Sequence, residues 1–142
     1  MVWIDDCCES DYLRLAGIWE RSVRATHTFL SEDDIAEIRE ALIPLYFPNV
    51  KLYGVFDNGA LCGFVGMAGR MIEMLFVDDC CRGKGYGSLL VEYAVALGAD
   101  CVDVNEQNPL ALGFYESKGF HIVGRDDRDE AGRPFPILHL SL

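Results

Sequence analysis

The glycine-rich segment Arg82–Ser88 constrains the fold of this chain more than any other part of its sequence. It follows an apolar stretch, Met71–Val77, that favours a strand, and it precedes a helical pattern of apolar residues that ends at Gly98. A short apolar strand over Cys101–Val104 comes next. A strand, a loop, a helix and a second strand in this order predict two parallel neighbouring strands joined by a right-handed crossover.

Two helices are predicted before this unit. Ser10 is a candidate cap for the first helix, because apolar residues follow it at helical spacing. Ser31 and Asp34 have the spacing of a capping box, which places the start of the second helix at Ser31. Proline lacks a backbone N–H group and clashes with the preceding turn, so we expect Pro44 and Pro48 to end that helix.

The remaining sequence has the pattern of a sheet with one more helix. Asn58-Gly59 supplies the positive φ angles of a type I′ turn and predicts a hairpin. Asn108 and Pro109 suit the N-cap and the first position of a helix. The further predicted strands are Met1–Ile4, Lys51–Phe56, Ala60–Met67, Phe120–Val123 and Phe135–Leu142. Together these elements predict an α/β (α+β) fold, with a mixed central sheet of about six to seven strands flanked by about four helices.

Length and composition narrow the class of protein. The chain has 142 residues, of which 51% are hydrophobic, and we expect residues 1–142 to form a single domain around its own core. The formal net charge of −11 argues against nucleic acid as a partner, because phosphates would be repelled. The same charge either attracts a cationic substrate or serves only solubility, and the sequence leaves both open.

The sequence indicates neither membrane insertion nor secretion. It has no run of about 18 apolar residues, and its first residues lack the basic and apolar regions of a signal peptide. The six cysteines form neither a C-x-x-C motif nor a cluster with zinc spacing, so no metal site is predicted. We expect reduced thiols and a cytoplasmic protein, with a redox or catalytic role for Cys81 as the alternative.

The Arg82–Ser88 segment has the features of a phosphate-binding loop. Its glycines let successive backbone N–H groups point at one ligand, and the start of the next helix adds unpaired N–H groups and a positive dipole. Arg82 and Lys84 add positive charge. The segment does not match G-x-x-x-x-G-K-S/T and lacks the third glycine of G-x-G-x-x-G, which disfavours a P-loop and a Rossmann site.

Two motifs resemble those of the GNAT superfamily of N-acetyltransferases. The family's acetyl-CoA loop reads R/Q-x-x-G-x-G/A, which Arg82, Gly85 and Gly87 match. Residues 105–120 are similar to the family's N-x-x-N-x-x-A-x-x-F-Y-x-x-x-G-F signature. The resemblance covers essentially the whole chain, but the family often has proline before the loop, where this chain has Asp79-Cys80-Cys81.

The resemblance implies a site for acetyl-CoA. In such a site the backbone of Leu75 and Val77 would bind the pantetheine arm as an added strand does, and the loop N–H groups would bind the pyrophosphate. Asn108 would either reach the cofactor or cap its own helix. The implied cofactor-binding residues are Leu75, Phe76, Val77, Arg82, Gly83, Lys84, Gly85, Tyr86, Gly87, Ser88 and Asn108.

It also implies direct attack of a neutral amine on the thioester, which requires an acid and a base. Tyr115 is the implied acid, because the pKa of a phenol, about 10, is near that of an alkyl thiol. It could instead be an ordinary core aromatic. Glu73 is the candidate base, since strand alternation is expected to place it on the same side as Leu75 and Val77. It could instead be a solvated strand residue.

Three further residues are candidates for contact with the acceptor. They are His27, which is a second candidate base, Phe29 and Asn105. The expected reaction is transfer of acetyl from acetyl-CoA to a primary amine, on a small molecule or on a protein. A non-catalytic acyl-CoA sensor or interaction module is the alternative, and the chain could be a monomer or a homodimer.

Overall fold

The computed structural model describes residues 1–142 and contains one seven-stranded sheet with helices on both faces. Its strands are β1 (Val2–Asp6), β2 (Lys51–Asp57), β3 (Ala60–Ala68), β4 (Met71–Val77), β5 (Cys101–Asn105), β6 (His121–Asp126) and β7 (Ile137–Ser141). Its helices are α1 (Tyr12–Thr26), α2 (Glu32–Ala41), α3 (Tyr86–Ala96) and α4 (Pro109–Ser117). The predicted mixed sheet with four helices is confirmed. None of the helices is long and apolar enough to cross a membrane.

The strands follow the order β1-β2-β3-β4-β5-β7-β6, and only β4 and β5 are parallel. The strand–loop–helix–strand unit therefore forms the parallel pair that its sequence predicts. The pairing is short, because it includes only Met71 with Cys101 and Ile72 with Val102. Beyond Ile72 the two strands separate. The edge of β4 that faces β5 is left without a neighbouring strand from Glu73 to Val77.

A β-bulge in β4 changes which way its side chains point. Met67 of β3 lies opposite Ile72, whereas the preceding residue Gly66 lies opposite Met74. Glu73 is therefore an extra residue on β4, and the alternation of side chains shifts by one position there. We name the two sides of the sheet the α1–α2 face and the α3–α4 face, after the helices that pack on them.

Each face of the sheet has its own hydrophobic core. The α3–α4 face includes Val65, Leu90 and Tyr115, with Leu75 and Val77 at its margin. The α1–α2 face is built from residues such as Leu15, Phe47 and Phe64, and it takes in Met74 and Phe76 of β4 at its margin.

Most predicted turns and caps are present. Asn58 and Gly59 have φ angles of 50° and 84°, as the predicted hairpin turn requires. At the start of α2, the Ser31 hydroxyl accepts a hydrogen bond from the backbone N–H of Asp34, and the Asp34 carboxylate accepts one from Ser31. The Asn108 side chain accepts a hydrogen bond from the N–H of Ala111 and caps α4.

Two predicted helix boundaries are wrong. Ser10 does not cap α1, because it lies within a 3₁₀ turn at Glu9–Asp11, in which the Asp11 carboxylate accepts from the N–H of Cys8. Pro44 does not end the helical segment. The chain instead widens into a π-turn over Leu42–Tyr46, where the N–H of Phe47 donates to the carbonyl of Leu42 and no N–H is needed from proline.

Strand ends also differ from the sequence pattern. β1 and β6 extend to Asp6 and Asp126, since cross-strand pairing continues past the apolar residues. β7 starts at Ile137 rather than Phe135, after a connection that contains two prolines.

The capping box predicts a measurable contribution of Ser31 to stability. Ser31→Ala should lower the free energy of unfolding by about 1 kcal/mol, because it leaves the Asp34 N–H without its acceptor. Urea denaturation measures this difference. Thr28→Ala removes a hydroxyl from the same connection outside the box and should change little. Equal losses in the two variants would contradict the assignment.

Candidate active site

The Arg82–Ser88 loop presents free backbone N–H groups at the start of α3. None of the N–H groups from Gly83 to Ser88 donates to another group of the chain, and the first helical bond is from Leu89 to the carbonyl of Gly85. Gly83 and Gly85 have φ angles of 79° and 82°, and a Cβ on either would meet no atom within 4 Å. Glycine is therefore needed for the backbone conformation rather than for space inside the protein.

Charge at this loop comes from two exposed side chains. Arg82 has a long contact of 3.4 Å with Asp79, and Lys84 forms no ion pair. Free N–H groups, a helix N-terminus and two cations are the donor set that a pyrophosphate requires. The loop therefore fits the phosphates of coenzyme A.

Side chains at both ends hold the loop in place. The Tyr86 side chain is buried and donates to the Asp57 carboxylate in the hairpin, which raises the pKa of Tyr86 to about 12. Only the backbone of Tyr86 is left for a ligand. Before the loop, the buried carboxylate of Asp78 accepts two hydrogen bonds of 2.9 Å from the Arg21 guanidinium on α1. This ion pair is not predictable from the sequence pattern, because nothing in the spacing connects residues that are 57 positions apart.

The free edge of β4 is a second candidate element of a cofactor site. Its backbone from Glu73 to Val77 lacks a strand partner on the β5 side and can hydrogen-bond an extended chain. Leu75 and Val77 lie toward the α3–α4 face, and Phe76 lies toward the α1–α2 face, where its ring centroid is 6.4 Å from that of His27. Gly87 and Ser88 are half-buried, and Gly87 packs against the ring of Phe114.

Tyr115 lies on the α3–α4 face with its ring between Phe114 and Phe120. The residue is only 6% exposed, and burial raises the pKa of its hydroxyl. That hydroxyl has no hydrogen-bond partner in the protein, although every fully enclosed side-chain N or O atom of the chain has one. The tip of Tyr115 therefore reaches an accessible space, where a group outside the protein can accept its proton.

His27 ends α1 and connects it to α4. Its Nδ1 lies 2.8 Å from the Thr26 hydroxyl, which itself donates to the carbonyl of Ser22. That arrangement makes Nδ1 the protonated nitrogen and leaves Nε2 as an acceptor, 3.4 Å from the amide nitrogen of Asn108. Burial lowers the pKa of His27, so the ring is neutral near pH 7. Phe29 packs on the same ring at 5.4 Å.

Asn105 is engaged in a turn rather than directed at these residues. Its side-chain oxygen accepts from the N–H of Gln107, and its backbone carbonyl accepts from Asn108. It shapes the entry into α4 and does not line the large cleft described next.

A cleft of about 1160 Å³ opens on the α1–α2 face, and Glu73 lies in it. Its apolar wall comes mainly from α1, α2 and the turn after α2, and its polar wall from β5, β7 and residues 126–133. We call it the acceptor cleft. Its lining includes Trp19, Ile38, Leu42, Leu45, Glu73, Met74, Phe76, Asp103, Asp126, Asp127, Arg128, Asp129, Glu130, Arg133, Ile137 and His139.

The predicted orientation of Glu73 is wrong. Simple alternation placed it with Leu75 and Val77, but the β-bulge sends its side chain to the α1–α2 face instead. Partial burial, Glu130 and Asp103 raise the pKa of Glu73, in that order of effect. Glu73 and Tyr115 thus lie on opposite faces of the sheet, on either side of the gap between β4 and β5.

His139, which was not predicted from the sequence, lies in the polar wall of the acceptor cleft. Its ring nitrogens are 2.6 Å from Asp103 and 2.7 Å from Asp126. A single histidine in an alternating strand gave no signal, because its two partners come from other strands.

Comparisons with known proteins agree with this geometry. A family model described as an acetyltransferase (GNAT) domain matches residues 48–122. The chain is 42% identical to the peptidyl-lysine N-acetyltransferase YjaB of Salmonella typhimurium strain LT2 over 129 residues, which cover 89% of this chain and 88% of that one. It is 28% identical to the peptidyl-lysine N-acetyltransferase YiaC of Escherichia coli K12, over 95% and 94% of the two chains.

Solved structures show the same fold. The solution structure of apo-form YjaB from Escherichia coli superposes with a TM-score of 0.91 at 34% identity, over 99% of this chain and 97% of that one. The PaiA N-acetyltransferase of Thermoplasma acidophilum, solved with coenzyme A, has a TM-score of 0.74 at 19% identity, over 100% and 99% of the chains. The second likeness concerns the fold alone.

The loop geometry predicts different effects for two glycines at opposite ends of α3. Gly85→Ala should weaken acetyl-CoA binding about tenfold, because a left-handed conformation costs a non-glycine residue about 1–2 kcal/mol and the loop will shift. Titration calorimetry measures the Kd.

Gly98→Ala is the matched control. Gly98 has a φ of 110°, and an added Cβ would meet equally open space there, but Gly98 lies at the far end of the helix. Both variants should lose similar stability, and only Gly85→Ala should lose affinity. Parent-like binding by Gly85→Ala would overturn the assignment of this loop to the phosphates.

Proposed function

The chain belongs to the GNAT family of acetyltransferases, and on that premise we propose that its acceptor is the side-chain amine of lysine in a protein or peptide. It is an N-acetyltransferase that uses acetyl-CoA as the acetyl donor and a primary amine as the acceptor. Its curated relatives are themselves acetyltransferases, which favours catalysis over a sensor function. Acceptor identity, the roles of single residues and cytoplasmic location belong to the proposal.

The observation that carries the lysine proposal is the composition of the acceptor cleft. A lysine side chain has a four-carbon apolar stem and a cationic tip. The cleft has an apolar wall that includes Trp19, Ile38 and Leu42, and an opposite wall rich in carboxylates. It therefore offers apolar contact to the stem and negative charge to the ammonium group. Two relatives that are named as peptidyl-lysine N-acetyltransferases support the same class of acceptor.

The donor side of the site is assigned to backbone groups. The N–H groups of Gly83–Ser88, with Arg82 and Lys84, are proposed to bind the phosphates, and the free edge of β4 the pantetheine arm. When bound, acetyl-CoA supplies an activated acetyl thioester. Asn108 caps α4 and contacts His27, so we assign it the indirect role of holding α4 in position rather than a contact with the cofactor.

Glu73 is proposed to receive the proton that the acceptor amine must lose. An ammonium group carries no lone pair, so the amine reacts only after deprotonation. A raised pKa makes the ionised Glu73 carboxylate a stronger proton acceptor than that of an exposed glutamate. His27 is the second candidate for this role. Its ring is neutral and its Nε2 is an acceptor, although Nε2 is already 3.4 Å from the amide nitrogen of Asn108 and His27 lies outside the lining of the acceptor cleft.

Tyr115 is proposed to protonate the sulfur as the thiol leaves. Because burial raises the pKa of Tyr115, the phenol stays protonated over the working pH range and can act as a donor. The unpartnered hydroxyl lies on the face opposite Glu73. Proton uptake and proton donation are thus assigned to opposite sides of the β4–β5 gap.

Removal of the Tyr115 hydroxyl tests this role. Tyr115→Phe should lower kcat by about 10²-fold and leave acetyl-CoA affinity nearly unchanged, because only the acid is lost while the ring packing stays. Tyr93→Phe removes a hydroxyl from α3 at a half-buried position and should keep the parent kcat. Normal turnover in Tyr115→Phe would show that the residue is an ordinary core aromatic.

The acceptor is tested with matched peptides. Acetylation of a peptide with one lysine and a blocked N-terminus should be detected by mass spectrometry, and the same peptide with norleucine should stay unmodified. The KM for the lysine peptide should rise with salt, because ions screen the attraction to the cleft beyond about 8 Å at physiological strength. Glu73→Gln should lower kcat/KM about tenfold or more.

Glu92→Gln provides the control, since Glu92 is exposed on α3 and lies far from the acceptor cleft. It changes net charge equally and should behave like the parent. A wild-type enzyme that releases coenzyme A with free amines but ignores every lysine peptide would refute the proposed acceptor and leave the family assignment intact.

A further inference from the structure

His139 on β7 lies at the centre of a hydrogen-bonded trio of side chains, each of which comes from a different strand. Its Nδ1 is 2.6 Å from Oδ1 of Asp103 on β5, and its Nε2 is 2.7 Å from Oδ2 of Asp126 on β6. An ionised carboxylate has no proton to donate and can only accept hydrogen bonds, so both ring nitrogens must be donors. Two donors are present only in the imidazolium form. The trio is therefore two carboxylates held by one cation, and no group of residues in the chain is arranged to hold a metal ion there.

The trio pairs two of the carboxylates that line the acceptor cleft with a cation. Six carboxylates line the cleft, from Glu73, Asp103, Asp126, Asp127, Asp129 and Glu130. Asp127 pairs with Arg125, and Asp129 pairs with Arg133, which also binds Glu37. With Asp103 and Asp126 paired to His139, the carboxylates left without a cation are Glu73 and Glu130.

We propose that His139 is a positioning residue for acetyl transfer, which keeps Asp103 and Asp126 ion-paired on the acceptor side of the sheet so that Glu73 meets the incoming amine. This inference rests on the proposed function of the cleft. Asp103 is the link, because it contacts His139 and its charge also acts on Glu73. While the imidazolium is present, it offsets part of that charge. Glu73 then stays ionised and able to take a proton at lower pH.

The other charges that face His139 do not change this conclusion. β4 contributes Glu73, and the connection from β6 to β7 contributes Asp127, Arg128, Asp129, Glu130 and Arg133. The walls from α1 and α2 contribute no charged side chain to the cleft. The pKa of His139 is raised, chiefly by its hydrogen bonds to Asp103 and Asp126. Its charge therefore persists above the usual range for histidine and is lost as the pH rises through that raised value.

Opposite changes at His139 and Asp103 test the proposal. His139→Gln removes the cation and should make Glu73 harder to ionise. With one lysine peptide, the ratio of kcat/KM at about pH 6.5 to that at about pH 8.5 should fall, by about threefold at most for each half-unit rise in the pKa of Glu73. Asp103→Asn removes the repelling charge and should raise the same ratio. The double variant should resemble Asp103→Asn, because loss of the His139 cation has no further effect at position 103 once the Asp103 charge is gone.

Use of the same peptide throughout cancels the ionisation of the substrate amine. His121→Gln is the matched control, because His121 is exposed on β6 and makes no such contacts. A merely structural role would lower kcat/KM equally at both pH values. That outcome, or a ratio that moves in the same direction for His139→Gln and Asp103→Asn, overturns the proposal.

Nuclear magnetic resonance of the His139 ring provides a readout without activity. In the wild-type protein the ring should titrate above the usual pKa of about 6.5, and Asp126→Asn should bring it back toward that value. A ring that titrates normally in the wild type refutes the trio. If the ring titrates as expected but no lysine peptide is acetylated, the proposed acceptor fails while the ion trio stands.

Discussion

The short pairing of β4 with β5 is the constraint on which the rest of the structure depends. Only two residue pairs join these parallel strands, at Met71 and Ile72. A longer pairing would satisfy more backbone groups and would close the sheet. Separation of the strands instead leaves the β4 backbone from Glu73 to Val77 free for an extended ligand chain. The hydrogen bonds that are missing between β4 and β5 are offset by packing, since a hydrophobic core on each face holds the strands in place.

The β-bulge at Glu73 lies at the point where β4 and β5 begin to separate. It places the Glu73 side chain on the face of the sheet opposite Tyr115. Without it, Glu73 would follow Leu75 and Val77 toward the α3–α4 face, where Tyr115 is already buried. One extra residue places a carboxylate in the acceptor cleft and leaves the apolar packing of both faces intact. The proposed base and the proposed acid can then act from opposite sides of one gap without interacting electrostatically with each other.

Local signals allowed much of the fold and the position of the glycine loop between β4 and α3 to be predicted from sequence. The Ser31 capping box, the Asn58-Gly59 turn and the glycine loop each depend on residues that are close in the chain. Glu73 was misplaced because a bulge depends on how β3 and β4 match in length, which no periodicity within β4 reveals. His139 and Arg21 were missed for a related reason. The two partners of His139 lie 36 and 13 residues away and that of Arg21 lies 57 residues away, and only the folded sheet brings them together.

Long-range contacts of this kind also hold the polar wall of the acceptor cleft in place. The connection from β6 to β7 reaches across the cleft to α2 through Arg133 and Glu37, which are 2.9 Å apart. It also reaches the segment after α1 through the edge contact of Phe135 with Phe29. The proposed donor loop offers backbone N–H groups, which depend on glycine and a helix start rather than on long-range contacts. Substitutions in residues 126–137 can therefore alter the width and charge of the acceptor cleft without disturbing the donor loop. A fold with this division can keep one acetyl donor while its acceptors diverge.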